Sequence, residues 1–287
     1  MEPSRLTVAT LVGHRQVELA LTCLGSLLRR SAEPVRLRVH DDGTLTADDR
    51  ERLAAGLDEP EVVSRAEGEA RSADFLAGRP ALAAFCRDNP LAVKLVDVVA
   101  CAGEELLFCD TDILFLRPFT GLGRLLALGT GAVLMSDCQE AYSVRSWHLL
   151  AHRRLRLPRR VNSGLIAFRT RHFDPDLLEW YLTHPEFRFA PVWMEQTCWA
   201  LLAARAGCRL IDPEQLALPA GPPPPGKPER RVALHFVSPS RALLPLYATA
   251  AAECSDGESP VQLRTLPARR CTPFHLAASE LRRRRAR

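Results

Sequence analysis

Apolar residues come in short runs, separated by stretches in which they recur at helical spacing. Residues 6–12, Leu-Thr-Val-Ala-Thr-Leu-Val, are rich in β-branched side chains and predict a first strand. Gly13-His14 turns into a helix over 17–30, with Leu19, Leu21, Leu24, Leu27 and Leu28 periodic. Residues 35–40 alternate as a second strand that ends in Asp41-Asp42-Gly43. Thr46 caps the next helix, with Asp49 three residues on. A short third strand covers 61–64. Between Ala66 and Pro90 the pattern supports only a helix around 81–87. Residues 91–102 then form a helix with Leu91, Leu95, Val98 and Val99 on one side and Lys94 near its start. Residues 106–115 read as a strand buried on both faces, interrupted only by Asp110 and Asp112.

The second half adds strands at 131–136, ending at Asp137, and at 161–168, with a basic segment at 152–160 between them. Asp174-Pro175 opens a helix to Thr183, and a helix over 192–206 is stopped by Gly207. Strands follow at 208–211 and 232–237, around a proline-rich loop at 221–226. After about Ser255 the chain reads as peripheral. Strands alternating with helices predict an α/β fold whose mostly parallel central sheet is joined by right-handed crossovers. Such sheets bind ligands at the carboxyl ends of their strands. Asp41, Asp42, Asp110 and Asp112 all fall at such ends.

In a strand, Asp110 and Asp112 point to one face. Two carboxylates there are costly unless compensated, and a divalent cation compensates them through its preferred oxygen ligands. The plain alternative has Asp110 capping a loop and Asp112 paired with an arginine. The motif also resembles that of haloacid-dehalogenase phosphatases, whose first Asp is the nucleophile. That family sets the motif near the chain start and carries Thr or Val two places after the second Asp, where Leu114 stands here.

The 287 residues suffice for one large α/β domain, and 47% apolar with 25% charged residues is ordinary for a globular protein. No apolar run approaches the ~20 residues of a membrane helix. The N-terminus does not resemble a signal peptide. The nine cysteines are odd in number, lack any Cys-x-x-Cys and sit mostly in apolar runs. They predict reduced, buried thiols, a cytoplasmic setting and no zinc site. Part of the net charge of +4 comes from the arginines of 282–287. These read as a solvated tail, with peripheral contact to an anionic membrane as the sharper alternative. No aromatics are interleaved with them, so no nucleic-acid partner is expected.

An acidic turn after the second strand, a Lys-bearing helix, Asp-x-Asp, an Asn-x-Gly strand, a Glu-Gln helix and a late His strand occur in that order. This order resembles the GT-A nucleotide-diphospho-sugar transferases, nearest to the retaining family 8 group of glycogenin and bacterial galactosyltransferases. The likeness spans residues 5–245, read as one Rossmann-like GT-A domain, and leaves 246–287 as a peripheral C-terminal extension with a basic tail. It implies a metal-dependent hexosyl transfer from a nucleotide sugar, a UDP-sugar, to a hydroxyl acceptor.

The resemblance also implies site residues. Asp110, Asp112 and His235 would hold Mn²⁺ or Mg²⁺ under the donor diphosphate. Thr10, Asp41, Asp42, Lys94, Asp110, Asn162, Gly164 and Arg241 would bind substrate. Glu195, Gln196 and Asp137 would stand near the reacting carbon. The late motif departs from the family pattern: Ser238 replaces its Gly, Arg241 its Lys, and no Pro-Trp follows. Other readings are a haloacid-dehalogenase-like phosphatase or a nucleotidyltransferase using the same acids, and a non-catalytic nucleotide-sugar-binding protein.

Overall fold

The computed structural model describes residues 5–127, 129–223, 229–252 and 259–285. The C-terminal part of the proline-rich loop, residues 224–226, lies outside them. In chain order the strands are β1 Leu6–Val12, β2 Val35–Asp41, β3 Glu61–Val63, β4 Glu105–Cys109, β5 Ile113–Phe115, β6 Phe119–Thr120 and β7 Ala132–Ser136. They continue with β8 Val161–Arg169, β9 Cys208–Ile211, β10 Leu216–Ala217, β11 Ala233–His235, β12 Val261–Gln262 and β13 Thr265–Pro267. The longer helices are α1 Val17–Arg30, α2 Ala47–Gly56, α3 Arg65–Leu76, α4 Pro80–Asp88, α5 Pro175–Leu182, α6 Met194–Ala206, α7 Leu244–Ala252 and α8 Pro273–Arg285.

Eight strands form the central sheet in the order β13-β9-β7-β8-β4-β1-β2-β3. The pairs β1–β2, β1–β4, β2–β3 and β7–β9 are parallel. β8 runs antiparallel between β4 and β7, and β13 antiparallel on β9. Because β8 is reversed, its first residues meet the last residues of β4 and β7 at one edge of the sheet. That edge also carries the ends of β1 and β2.

Both faces of the sheet are covered, as its alternation requires. On β8, Ile166 and Phe168 enter one core with Trp199 and Tyr181, while Leu165 and Ala167 enter another with Leu24 and Leu27 of α1. Thr46 caps α2 reciprocally with Asp49, as its sequence predicts. Asp174 caps α5 through the Leu177 N–H, and Gly207 ends α6 at φ 81°.

Three expectations are corrected. Residues 106–115 are not one strand. The Asp110 N–H still donates to the Gly164 carbonyl, but the Asp112 carbonyl accepts from Phe236, so the chain changes sheets in a turn. β5 then pairs with β11 in a three-stranded sheet, placing Ile113 opposite His235. The predicted helix at 91–102 is broken into single turns, Ala92–Leu95 and Asp97–Ala100. The break separates two buried charges, Lys94 and Asp97, each tied to different partners. Helix α3 was not expected, because its sequence is largely polar. It is held by its Ser64 cap, by the Arg71–Glu67 pair and by Ser72 donating to buried Asp97. Among the described residues, no helix is long and apolar enough to cross a membrane, and every described cysteine is a free thiol.

Candidate active site

The turn after β4 and the end of β11 bring Asp110, Asp112 and His235 together. Their ligand atoms lie within 4.8 Å of one another. His235 Nε2 is 2.9 Å from Asp112 Oδ1 and 3.8 Å from Asp110 Oδ2. Convergence therefore comes from a change of sheet and not from strand alternation.

The imidazole is fixed from behind. Gly164 N–H donates to Asn162 Oδ1 at 2.9 Å, which identifies that atom as the amide oxygen. His235 Nδ1 lies 3.0 Å from the same oxygen, so Nδ1 must carry the proton. Nε2 is thereby directed at the two carboxylates. Asn162 Nδ2 in turn donates to Asp137 Oδ2 at 3.1 Å. Gly164 is required by this packing: a Cβ there would lie 2.5 Å from His235 Cε1. The space over Gly164 holds the imidazole.

On the other side of Asp110 stands Lys94, almost fully buried. Its ammonium donates to Asp110 Oδ1 and Oδ2 at 3.0 and 3.1 Å and to Ser163 Oγ at 3.3 Å. It also lies 4.8 Å from the Phe108 ring centroid. Glu195 Oε1 is 3.6 Å from Lys94 Nζ and has no hydrogen-bond partner, while Oε2 accepts from Ser163 Oγ at 3.0 Å. Gln196 Oε1 accepts from Ser163 N–H and its Nε2 donates to the Ala141 carbonyl. Ser163, which the sequence reading passed over, thus links Lys94, Glu195 and Gln196. Its signal was its place between Asn162 and Gly164.

Electrostatics follow from this packing. Burial pushes the Lys94 pKa down, but Asp110 and Glu195 outweigh it and hold the ammonium charged. Burial likewise works against charge on Asp112, yet His235 and Arg241 overcome it and lower its pKa to about 2. Burial would neutralise His235, and Asp112 raises its pKa instead. Burial raises the pKa of Glu195 despite Lys94. Arg241, nearly half exposed, donates to Asp112 Oδ2 through Nε at 3.2 Å and Nη2 at 2.8 Å.

The remaining candidates lie apart from this network. Asp41 is buried and consumed by its own loop. Its oxygens accept from Gly43 and Leu45 N–H and from Arg50 Nη2. Asp42 Oδ1 accepts from the backbone and hydroxyl of Thr44. Thr10 is fully buried in β1, its hydroxyl unpartnered.

Two carboxylates and one imidazole with a preset tautomer could hold a divalent ion. Asp110, Asp112 and Glu195 bring three acidic groups against the permanent cations of Lys94 and Arg241. A bound ion would take the place of the His235 Nε2 proton that faces the two carboxylates.

No protein-family model matches this chain, and no curated protein matches it. Solved structures do. Mouse xyloside xylosyltransferase 1 in its apo form is similar at TM-score 0.51 and 12% identity, over 83% of this chain and 99% of that one. The galactosyltransferase LgtC with donor and acceptor sugar analogs aligns at TM-score 0.47 and 13% identity, over 88% and 98%. Core-mannan synthase A from Aspergillus fumigatus, in an Mn/GDP form, aligns at 0.46 and 10%, over 71% and 70%. At such identities the first of these likenesses establishes the fold alone: a mixed α/β architecture matching that of the GT-A glycosyltransferases.

Proposed function

We propose that this protein is a metal-dependent glycosyltransferase, related to the retaining family 8 group, that moves a hexose from a UDP-sugar to a hydroxyl acceptor. The observation that carries the reading is the meeting of Asp110, Asp112 and His235 at the sheet's carboxyl edge, with the tautomer of His235 set by Asn162.

In this reading Asp110, Asp112 and His235 hold Mn²⁺ or Mg²⁺. When bound, the cation supplies Lewis-acid stabilisation of the departing diphosphate. Lys94 orients Asp110 and Glu195 and offsets part of the burial that raises the pKa of both, without leaving its buried place. Arg241, on the surface side of Asp112, provides the mobile charge for the diphosphate, as the fork of a guanidinium suits phosphate oxygens. Glu195 offers its unpartnered Oε1 to a sugar hydroxyl, and Gln196 is held beside it through Ser163. Asp137 acts through Asn162. Asp42 is assigned to the ribose or base, while Thr10 and Asp41 shape the strand ends.

The test is thermal stability with UDP, with and without Mn²⁺. The wild type should be stabilised only by the two together. Asp110→Asn and Asp112→Asn should each abolish that gain, measured from each variant's own unliganded Tm, and lower donor turnover by ~100-fold or more. Equal UDP stabilisation in excess chelator would sink the proposal. One departure favours a second reading: Ser238 and Arg241 alter the family's late motif, and Arg241 occupies Asp112. A nucleotide-sugar-binding protein without turnover would give the same Tm gain but no transfer to any acceptor.

A further inference from the structure

We propose that the acceptor is an anionic glycan, held by an arginine-lined groove that leads outward from the catalytic edge of the sheet; this rests on the transferase reading above. Segment 152–160 carries several arginines and no acid. It is tied to the stretch after β13. Arg159 N–H donates to the Arg269 carbonyl at 2.7 Å, and Pro158 bridges antiparallel to Arg270.

Three hollows follow this seam, of about 540, 200 and 580 Å³. Arg269 is common to the first and second, and Arg156 to the second and third. Shared lining residues set the three hollows side by side along the seam, and we treat the row as one groove. Its inner end is bounded by Ser136 and Arg160. The Arg160 carbonyl accepts from Asp137 N–H at 2.6 Å, and Asp137 holds Asn162. The groove therefore opens beside the network behind His235, on the half of the edge away from β1 and β2.

Its charge is uncompensated. Arg159 is paired with buried Glu140, but Arg153, Arg154, Arg156, Arg160, Arg269 and Arg270 form no ion pair among the described residues. The acids at the outer end, Asp174 and Asp176, are already paired with Arg205 and Arg79. Clustered like charges without counter-ions repel one another and attract an anion. Arg160 also holds a left-handed backbone, φ 51°, fixed by its N–H donating to Glu140 Oε2 at 2.7 Å. Guanidinium forks match carboxylate and phosphate alike. None of the residues lining the hollows is aromatic, so the stacking that single-stranded nucleic acid needs is absent there.

The experiment measures binding of two fluorescent probes to the intact chain: an oligogalacturonate for carboxylate and a phosphomannan oligosaccharide for phosphate. A labelled oligo-dT serves as the nucleic-acid arm. The variants are Arg156→Ala/Arg160→Ala/Arg269→Ala and, as control, Arg29→Ala/Arg124→Ala/Arg171→Ala. At least one glycan should bind the wild type. The groove variant should weaken it by about tenfold or more, the control should not, and UDP with Mn²⁺ should stabilise both variants like the wild type. Binding of neither glycan, equal loss in both variants, or tighter binding of oligo-dT would overturn the proposal. Glycan binding as expected without any UDP stabilisation of the wild type would instead defeat the donor reading and leave anion capture by the groove standing.

Discussion

Gly164 serves a histidine that lies far along the chain from it. The sequence shows Asn162 and Gly164 as a motif, but not which neighbour fills the space above the glycine. That neighbour comes from β11, which reaches the site only because β5 leaves the main sheet. The residues were therefore legible and their contacts were not. The consequence can be measured. In Gly164→Ala the new Cβ would sit 2.5 Å from His235 Cε1 and 2.6 Å from Nδ1, and the ring must move. Overpacking of this kind costs about 1–3 kcal/mol, and under the proposed function, where His235 ligates the ion, turning its ring should cost roughly 10–100-fold in metal affinity. A Mn²⁺ titration and a denaturation curve check both. Unchanged affinity with unchanged stability would show that His235 is not held as described. The same reasoning explains Asp41. Asp-Asp-Gly shows an acidic turn after the second strand, but the Asp41 oxygens are spent on Gly43, Leu45 and Arg50. Sequence cannot show that an acid is already satisfied.

At the level of elements, what is local was readable. Helix α1 occupies 17–30 as its apolar spacing requires, and α2 and α5 start at the caps their sequences carry. Features that depend on distant partners were not readable: helix α3, the break between Lys94 and Asp97, and the turn between β4 and β5. This last turn is pinned by α1. Ser26 Oγ accepts from Phe115 N–H at 2.8 Å and donates to the Cys23 carbonyl at 2.5 Å, all of it buried. Ser26 thus supports the strand that follows Asp112. Ser26→Ala should leave the Phe115 N–H without a partner and cost about 1–3 kcal/mol. Loosening of β5 should also weaken stabilisation by UDP with Mn²⁺. Chemical denaturation at equal protein concentration measures the first effect. A variant as stable as wild type would mean that water or a shifted strand satisfies Phe115.

Across the whole molecule, residues 259–285 complete surfaces that the rest of the chain leaves open. Their strands are two and three residues long and sparse in apolar side chains, which is why the sequence reads as peripheral there. Yet β13 covers the outer edge of β9, and β12 pairs with β6. Gln215 donates to the Gln262 carbonyl and accepts from Arg264 N–H, and Asp212 N–H donates to the Arg264 carbonyl. Leu263, Cys271 and Leu276 are buried at 6%, 2% and 0% exposure. Burying a large apolar side chain contributes roughly 1.5–3 kcal/mol. Loss of the segment should thus remove about 5 kcal/mol, comparable to the whole stability of many domains, about 5–15 kcal/mol. It would also expose the backbone of β9 as a free edge, a template for pairing between chains. A chain ending at residue 258 should therefore accumulate as aggregate, or unfold at a much lower temperature than the intact protein. Soluble expression followed by thermal melting decides it. A truncated chain that is monomeric and melts with the full one would show that the sheet is complete at β9, and that the C-terminal strands only decorate it.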